Sequence, residues 1–526
     1  MVPSLPVEVF VNIASFVARA DLLNFALASQ RCCYAATPYL WRNIEVSIGN
    51  VWQGSKGTRR AIVLQWSVGR HVRSSDERLR HVRRFQVKEL STDTSTNVVP
   101  PNIAFESVLR WLKAMTGLEE FILKDPCLNI MPCLIDGLRE IRSLTRLSIV
   151  VPIPERFRSE SEYKELVNSW AQFRNLTSLE LMFGSSQNVP AARIAASILF
   201  KSPHLQILKL GQAESENYRS NTTTNRDVAR ASIIIFRIYD LYSKLRREAT
   251  IESPSQTKDG EPRHRLSGIG LVPLKRLVLD KPCLMGSDIH LFADTHHLKR
   301  LEISNDHYGD PLCVPYEGRQ SVFKVLAGRA PNLVSIAFET DFIIDLGTES
   351  IDFTRDLPSF SELSIWNLND HALFLKIMTA CGGAGSNAKR WKKLLLGAPK
   401  DYSLDDYQSS RLLSFVADCT SLSHLDIHIP HACWDKLVDT VTDLPTLKEV
   451  HVHVLWKPEE LLSSDSAAAQ ELFDCNPGLR IVMVVSKHSG TPPQFWRRGQ
   501  STSYPLRQGT TQLLDFPPVP RISITR

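Results

Sequence analysis

Six residues late in the chain carry the most chemistry. His424, Asp426 and His428 alternate along one segment, and Glu449, His451 and His453 alternate along a later one. Imidazoles and carboxylates at such spacing could ligate zinc. Exposed strand pairs of this kind more often form hydrogen-bonded histidine–carboxylate contacts. The second reading is adopted, so no metal and no cofactor is assigned. Paired carboxylates would raise the histidine pKa values and make the surface respond to pH between about 5.5 and 7.5. Enzyme signatures are wanting. Residues 49–58 imitate a phosphate loop, but Ser55 stands where the lysine must follow Gly54. No G-x-S-x-G, HExxH or G-x-G-x-x-G after a strand occurs. The expectation is a chain without catalysis of its own.

Both segments belong to a recurring unit. Its pattern is apolar, two variable residues, apolar, one variable, apolar. It reads LEEFIL at Leu118, LTRLSI at Leu144, LTSLEL at Leu176, LQILKL at Leu205, LKRLVL at Leu274 and LKRLEI at Leu298. It continues as LVSIAF at Leu333, FSELSI at Phe360, WKKLLL at Trp391, LSHLDI at Leu422, LKEVHV at Leu447 and LRIVMV at Leu479, with a first copy, VRRFQV, at Val82. Most copies start 24 to 36 residues apart. Amphipathic stretches such as 107–115 and 408–417 lie between them. The chain resembles a leucine-rich-repeat solenoid, an α/β fold with a parallel concave sheet. The resemblance is irregular. Pro126, Pro152, Pro282, Pro399 and Pro430 stand where an asparagine or cysteine usually follows the strand. Proline cannot donate to a ladder, so it should end the strand.

Alternation along each strand sends the residues around the second apolar position outward. That face should run from basic to acidic to histidine-rich. Its candidate ligand-holding residues are Glu362, Trp366, His424, Asp426, His428, Glu449, His451 and His453, with Trp366 as an aromatic anchor.

The N-terminus has a different logic. Leu5, Val9, Ile13 and Phe16 fall at one-face helical spacing, with Pro6 in a first turn and Glu8 near the dipole's positive end. Asp21 is placed to N-cap a helix through Leu22, Leu23, Ala26 and Leu27. A third helix is expected over 29–36, stopping before Pro38, with Trp41 packing back. So short a segment carries more apolar surface than it can hide. LP-x-E-V, I-x-S-F, R-x-D-L-L and P-x-L-W-R together resemble an F-box, closest to those of filamentous fungi. That resemblance implies binding of the Skp-type linker of cullin–RING ubiquitin ligases through Leu5, Pro6, Val9, Ile13, Phe16, Leu22, Leu23, Leu27 and Trp41. Some of these must instead hold the helices together, and sequence alone cannot sort them.

The domain reading is therefore an F-box at 1–46, a basic connector at 47–81, and a solenoid at 82–486. The solenoid is broken by a polar insertion at 211–273 with a helix at 228–245, and the tail at 487–526 is expected to be poorly ordered. Between Gln53 and Lys88 ten basic residues face two acidic ones, giving +8 in a chain of net charge +6. The favoured meaning is a solvated face; no nucleic-acid motif accompanies it. No apolar run reaches the ~18 residues of a membrane span, and no secretory signal is visible. Ten scattered cysteines suit a reducing compartment, cytoplasmic or nuclear. The sequence implies an adaptor that docks a linker and cullin scaffold and holds an unknown protein substrate. The alternative is an F-box protein serving as a non-ligase scaffold.

Overall fold

A computed structural model describes residues 5–17, 21–51, 61–66, 77–89, 98–99, 109–123, 131–151, 159–183, 188–212, 234–251, 271–280, 289–304, 324, 326–339, 353, 357–366, 388–396, 406–455, 465–486, 494–498 and 504–505. The chain divides into two compact units, Met1–Thr295 and His296–Arg526.

The first unit opens with three helices, α1 (Val7–Phe16), α2 (Leu22–Ala28) and α3 (Gln30–Leu40). Their core is small: Ala14, Leu22, Ala26, Ala35 and Ala36, flanked by Phe10, Val11, Val17, Phe25, Tyr39 and Leu40. Two capping expectations change. Asp21 sits at the start of α2, but its side chain makes no cap bond; its carbonyl accepts from Phe25 instead. The helix α3 does not stop before Pro38. Ser29 caps its start by accepting from Cys32 N at 3.1 Å, and the helix runs through the proline to Leu40. Pro38 deletes only the bond to the Tyr34 carbonyl, and Tyr34 lies on an exposed side of the helix.

The sheet of this unit comprises β1 (Asn43–Val51), β2 (Ala61–Trp66), β3 (Arg84–Glu89), β4 (Val98–Val99), β5 (Glu120–Leu123), β6 (Arg146–Val150), β7 (Ser178–Phe183), β8 (Ile207–Gln212) and β9 (Arg276–Asp280). Strands β1, β3, β5, β6, β7, β8 and β9 form a parallel ladder in chain order. Strand β2 adds antiparallel to β1, and β4 to β2. The sheet thus begins at Asn43, at the end of the stretch expected to be the F-box, and runs into the expected connector, before the first repeat copy. Ile44 and Val46 bury one face of β1, and Trp41 is buried three residues before Ile44; residues 41–46 thus fit the repeat pattern, although Trp41 also closes α3.

The second unit stacks β10 (Arg300–Ser304), β11 (Ser335–Glu339), β12 (Glu362–Trp366), β13 (Lys393–Leu396), β14 (His424–Pro430), β15 (Glu449–Leu455) and β16 (Ile481–Ser486), all parallel. Two antiparallel strands, β17 (Gln494–Arg497) and β18 (Tyr504–Pro505), follow. They lie in the tail expected to be poorly ordered; residues 506–526 are outside the described set. In each unit the second and third apolar residues of a copy are buried wherever their side chains are described, as Leu147 and Ile149 or Leu425 and Ile427. Helices Asp406–Ala417 and Asp465–Cys475 cover strands of the second unit. This is a strand–helix solenoid, as the repeat spacing predicts.

Neighbouring copies are locked at the same point. One carbonyl accepts from two consecutive N–H groups of the next copy: Glu119 O from Thr145 and Arg146, Ser423 O from Lys448 and Glu449. The residue just before the first apolar position adds a side-chain bond. Ser143 donates to Leu118 O at 2.7 Å, and Thr446 to Leu422 O at 2.8 Å. These bonds connect the repeats where an asparagine ladder was expected to be missing. Pro430 ends β14 as expected; Pro126, Pro152, Pro282 and Pro399 lie outside the described residues.

The inserted helix is Ile234–Ile251, shifted from the expected 228–245. Tyr242 packs edge-on against Phe200, with ring centroids 6.4 Å apart. The polar stretches on either side, 213–233 and 252–270, lie outside the described residues. Among the described residues no helix is long and apolar enough to cross a membrane.

Candidate functional site

Two surfaces concentrate the sequence-predicted residues. The first is on the helical bundle. Phe10, Ala14 and Val17 of the α1 region turn to the bundle core. Ile13 and Phe16 are left on the outside, 42% and 89% exposed. Leu5, Leu23 and Leu27 join them at 53%, 59% and 77%. Pro6 is exposed and Val9 half-buried. Leu22 and Trp41 are buried and belong to the packing. The nine residues therefore divide into an outward apolar set and two internal supports. Tyr34, 66% exposed on α3, was not picked out from sequence; its place on the outer side of α3 was the available signal.

The second surface is on strands β12 to β15. The register puts Glu362 opposite Lys393, Lys393 opposite His424, and His424 opposite Glu449. One row further along, Asp426 stands opposite His451, and beyond it His428 opposite His453. Lys393 was missed in the sequence, although it occupies the outward position of WKKLLL. Trp366 ends β12 opposite Glu339, but its side chain lies outside the described residues.

The group is not an exposed set of pairs. Asp426, Glu449 and His451 are buried, while His424, His428 and His453 are half-buried. His451 lies between two carboxylates, with Nε2 2.9 Å from Glu449 Oε1 and Nδ1 3.5 Å from Asp426 Oδ2. Burial opposes charge on His451, but hydrogen bonds to Asp426 and Glu449 outweigh it and raise the pKa to about 9. Burial likewise works against the Asp426 carboxylate; contacts with His451 and His453 reverse this and hold its pKa below the ordinary range. Glu449 is held low in the same way, chiefly by His451.

His424 departs from expectation. It lies 3.5 Å from Glu449 Oε2, yet its pKa is lowered, because burial outweighs the carboxylate and Lys393 repels the added charge. Paired carboxylates therefore do not raise every histidine here. The single window from about pH 5.5 to 7.5 does not describe a group in which His451 titrates near 9.

The basic segment is partly consumed by the fold. Arg83 donates to Gly117 O at 2.7 Å, and Arg84 lies 3.5 Å from Glu120. Any Cβ at position 117 would collide with the Arg83 guanidinium, so glycine makes room for that bond.

No family model matches the sequence. No curated protein matches it either. Solved structures do. One is the leucine-rich repeat-containing protein LegL7 from Legionella pneumophila, 11% identical, covering 65% of this chain and 94% of its own, with a TM-score of 0.33. Another is the TLR13–ssRNA13 complex, 9% identical over 75% of this chain and 56% of that chain, with a TM-score of 0.28.

Proposed function

We propose that the chain is a substrate-holding subunit of a cullin–RING ubiquitin ligase, with an F-box at its N-terminus and a leucine-rich-repeat solenoid as its binding surface. The observation that carries this reading is the double-sided N-terminal bundle. It has its own small core, yet Leu5, Ile13, Phe16, Leu23 and Leu27 remain outside. Several large aliphatic and aromatic side chains left exposed on one small bundle mark a partner surface. Apart from Arg19, which is outside the described residues, the four spaced elements that resemble an F-box lie on these three helices or at their ends, which favours a Skp-type linker as that partner.

In this reading the chain performs no covalent step. It holds a protein substrate near a charged conjugating enzyme, raising the effective concentration of substrate lysines. The parallel sheets supply a rigid surface of alternating charge for that purpose. Copurification of linker and cullin with the full chain is the test, beside a Leu5→Asp/Pro6→Ala variant checked by circular dichroism. Recruitment by the wild type and an at least hundredfold weaker linker affinity of the folded variant are expected. A wild-type chain that recruits neither protein ends the proposal. Ubiquitination of a copurified partner separates the ligase role from that of a non-ligase scaffold.

A further inference from the structure

We propose that Asp426, His428 and His453 form a binding site for a divalent transition metal of the zinc class, on the outward face of the β14–β15 pair. One ligand atom from each residue can be chosen so that all three lie within 4.8 Å of one another. Parallel register brings them together. His428 and His453 are directly opposite, and Asp426 precedes His428 by two positions on the same side of β14. Both strands have a paired neighbour on each flank, β13 and β16, so the donors sit on rigid backbone. The two imidazoles stack with centroids 4.1 Å apart and planes at 11°.

A second observation points to a cation. Asp426 Oδ1 is buried and lacks a hydrogen bond of normal geometry; His453 Nε2 lies 3.5 Å from it. A buried carboxylate oxygen so placed is costly unless a positive charge faces it. The other oxygen, Oδ2, faces His451 Nδ1, whose far nitrogen faces Glu449. A ligating carboxylate steadied by a second layer of imidazole and carboxylate is the arrangement that orients metal ligands.

The donor set selects the ion. Two imidazoles and one carboxylate suit Zn²⁺, Co²⁺ or Ni²⁺; Ca²⁺ and Mg²⁺ prefer oxygen cages. Three protein ligands leave a fourth tetrahedral position for water or for a donor from a bound molecule. Protons compete for the same nitrogens, so affinity should fall as the solution is acidified.

The test uses the full chain, stripped with a chelator and dialysed. Zn²⁺ is titrated against a chromophoric competitor, and Co²⁺ is added separately to read its visible absorption. Expected are one equivalent of Zn²⁺ bound, an intense tetrahedral Co²⁺ spectrum, and no competition from excess Mg²⁺. His428→Gln and His453→Gln should each weaken Zn²⁺ binding on the order of tenfold or more, whereas His431→Gln, a neighbour outside the cluster, should not. Both cluster positions are half-buried, so these variants should fold; circular dichroism checks it. Folded variants that bind Zn²⁺ as tightly as the wild type overturn the site. So does a wild type that binds no Zn²⁺ against the competitor.

Discussion

The guanidinium carbon of Arg78 lies 4.3 Å from the centroid of the Trp41 ring. Trp41 closes α3, and Arg78 belongs to the 3-10 turn Glu77–His81 that leads into β3. The contact ties the helical bundle to the first sheet strands. Trp41 is buried, so its truncation should act on stability and not on a docking surface. Trp41→Ala is expected to cost about 3–5 kcal/mol. Arg78→Met keeps the stem and loses the cation, and should cost about 0.5–2 kcal/mol. Urea unfolding followed by helical circular dichroism reads both. A Trp41→Ala chain as stable as the wild type would place Trp41 outside the packing.

The outer apolar residues should behave in the opposite way. Phe16 and Leu27 are nearly free of internal contact at 89% and 77% exposure. Phe16→Ser with Leu27→Ser should change unfolding free energy by no more than about 0.5 kcal/mol per site. Ala36 is fully buried in the bundle, so Ala36→Leu should cost about 1–3 kcal/mol through overpacking. Linker binding should respond in reverse order to stability. Each lost aliphatic or aromatic contact is worth about 1.5–3 kcal/mol, so the double serine variant should lose at least a hundredfold in affinity. Surface plasmon resonance with immobilised linker, beside thermal melts, makes the comparison. Unchanged affinity in the folded double variant would show that another face docks.

The sequence exposed the strands because burial leaves a period in it. Leu147 and Ile149 are apolar since one sheet face meets helices, and Arg146 and Ser148, which alternate with them, are polar since the other does not. The register of the histidine group followed from the same period, which is why His428 was legibly opposite His453. Its depth was not legible. Whether Glu449 and His451 are buried depends on neighbouring strands and not on their own segment. The bundle's two faces were also unsorted, because Phe10 and Ile13 are both apolar and only packing distinguishes them. Strand β1 escaped because its leading apolar residue, Trp41, also closes the helical bundle, and β17 because it is antiparallel and carries no copy of the repeat. The side chain of Trp366 lies outside the described residues.

Cys419 should make the chain sensitive to alkali. Its thiol is buried, and burial, aided by Asp418, pushes its pKa from 9.0 to about 12. Between those values the unfolded chain has released a proton that the folded chain keeps. Stability must therefore fall as pH rises through 9, by about 1.4 kcal/mol per pH unit from this group. Lysines and tyrosines titrate there too, so the comparison is with Cys419→Ala, whose curve should be flatter by that slope. Urea unfolding at intervals between about pH 8 and 11 measures it. Parallel curves for the two chains would mean that the thiol titrates normally in the fold.

Arg498 should be worth more than its place in the tail suggests. Its Nη2 donates to Phe473 O and to Asn476 O at 2.7 Å, and its Nε to Leu479 O at 2.9 Å. Its charge also lies 5.2 Å from the Phe473 ring centroid. One side chain thus satisfies the end of helix Asp465–Cys475 and the turn into β16, while β17 covers the β16 edge. Arg498→Ala leaves those carbonyls without their charged donor and should cost about 2–3 kcal/mol. Arg498→Lys should recover only part, since an ammonium cannot reproduce the planar fork. Deleting everything after Ser486 goes further, because it bares the β16 edge to pairing with another chain. That truncated protein should form higher oligomers, while Arg498→Ala stays monodisperse relative to wild type with a lower melting temperature. Light scattering on a sizing column and thermal melts distinguish the two effects. A truncated chain matching the wild type in both measurements would show that the tail strands contribute nothing to closing the solenoid.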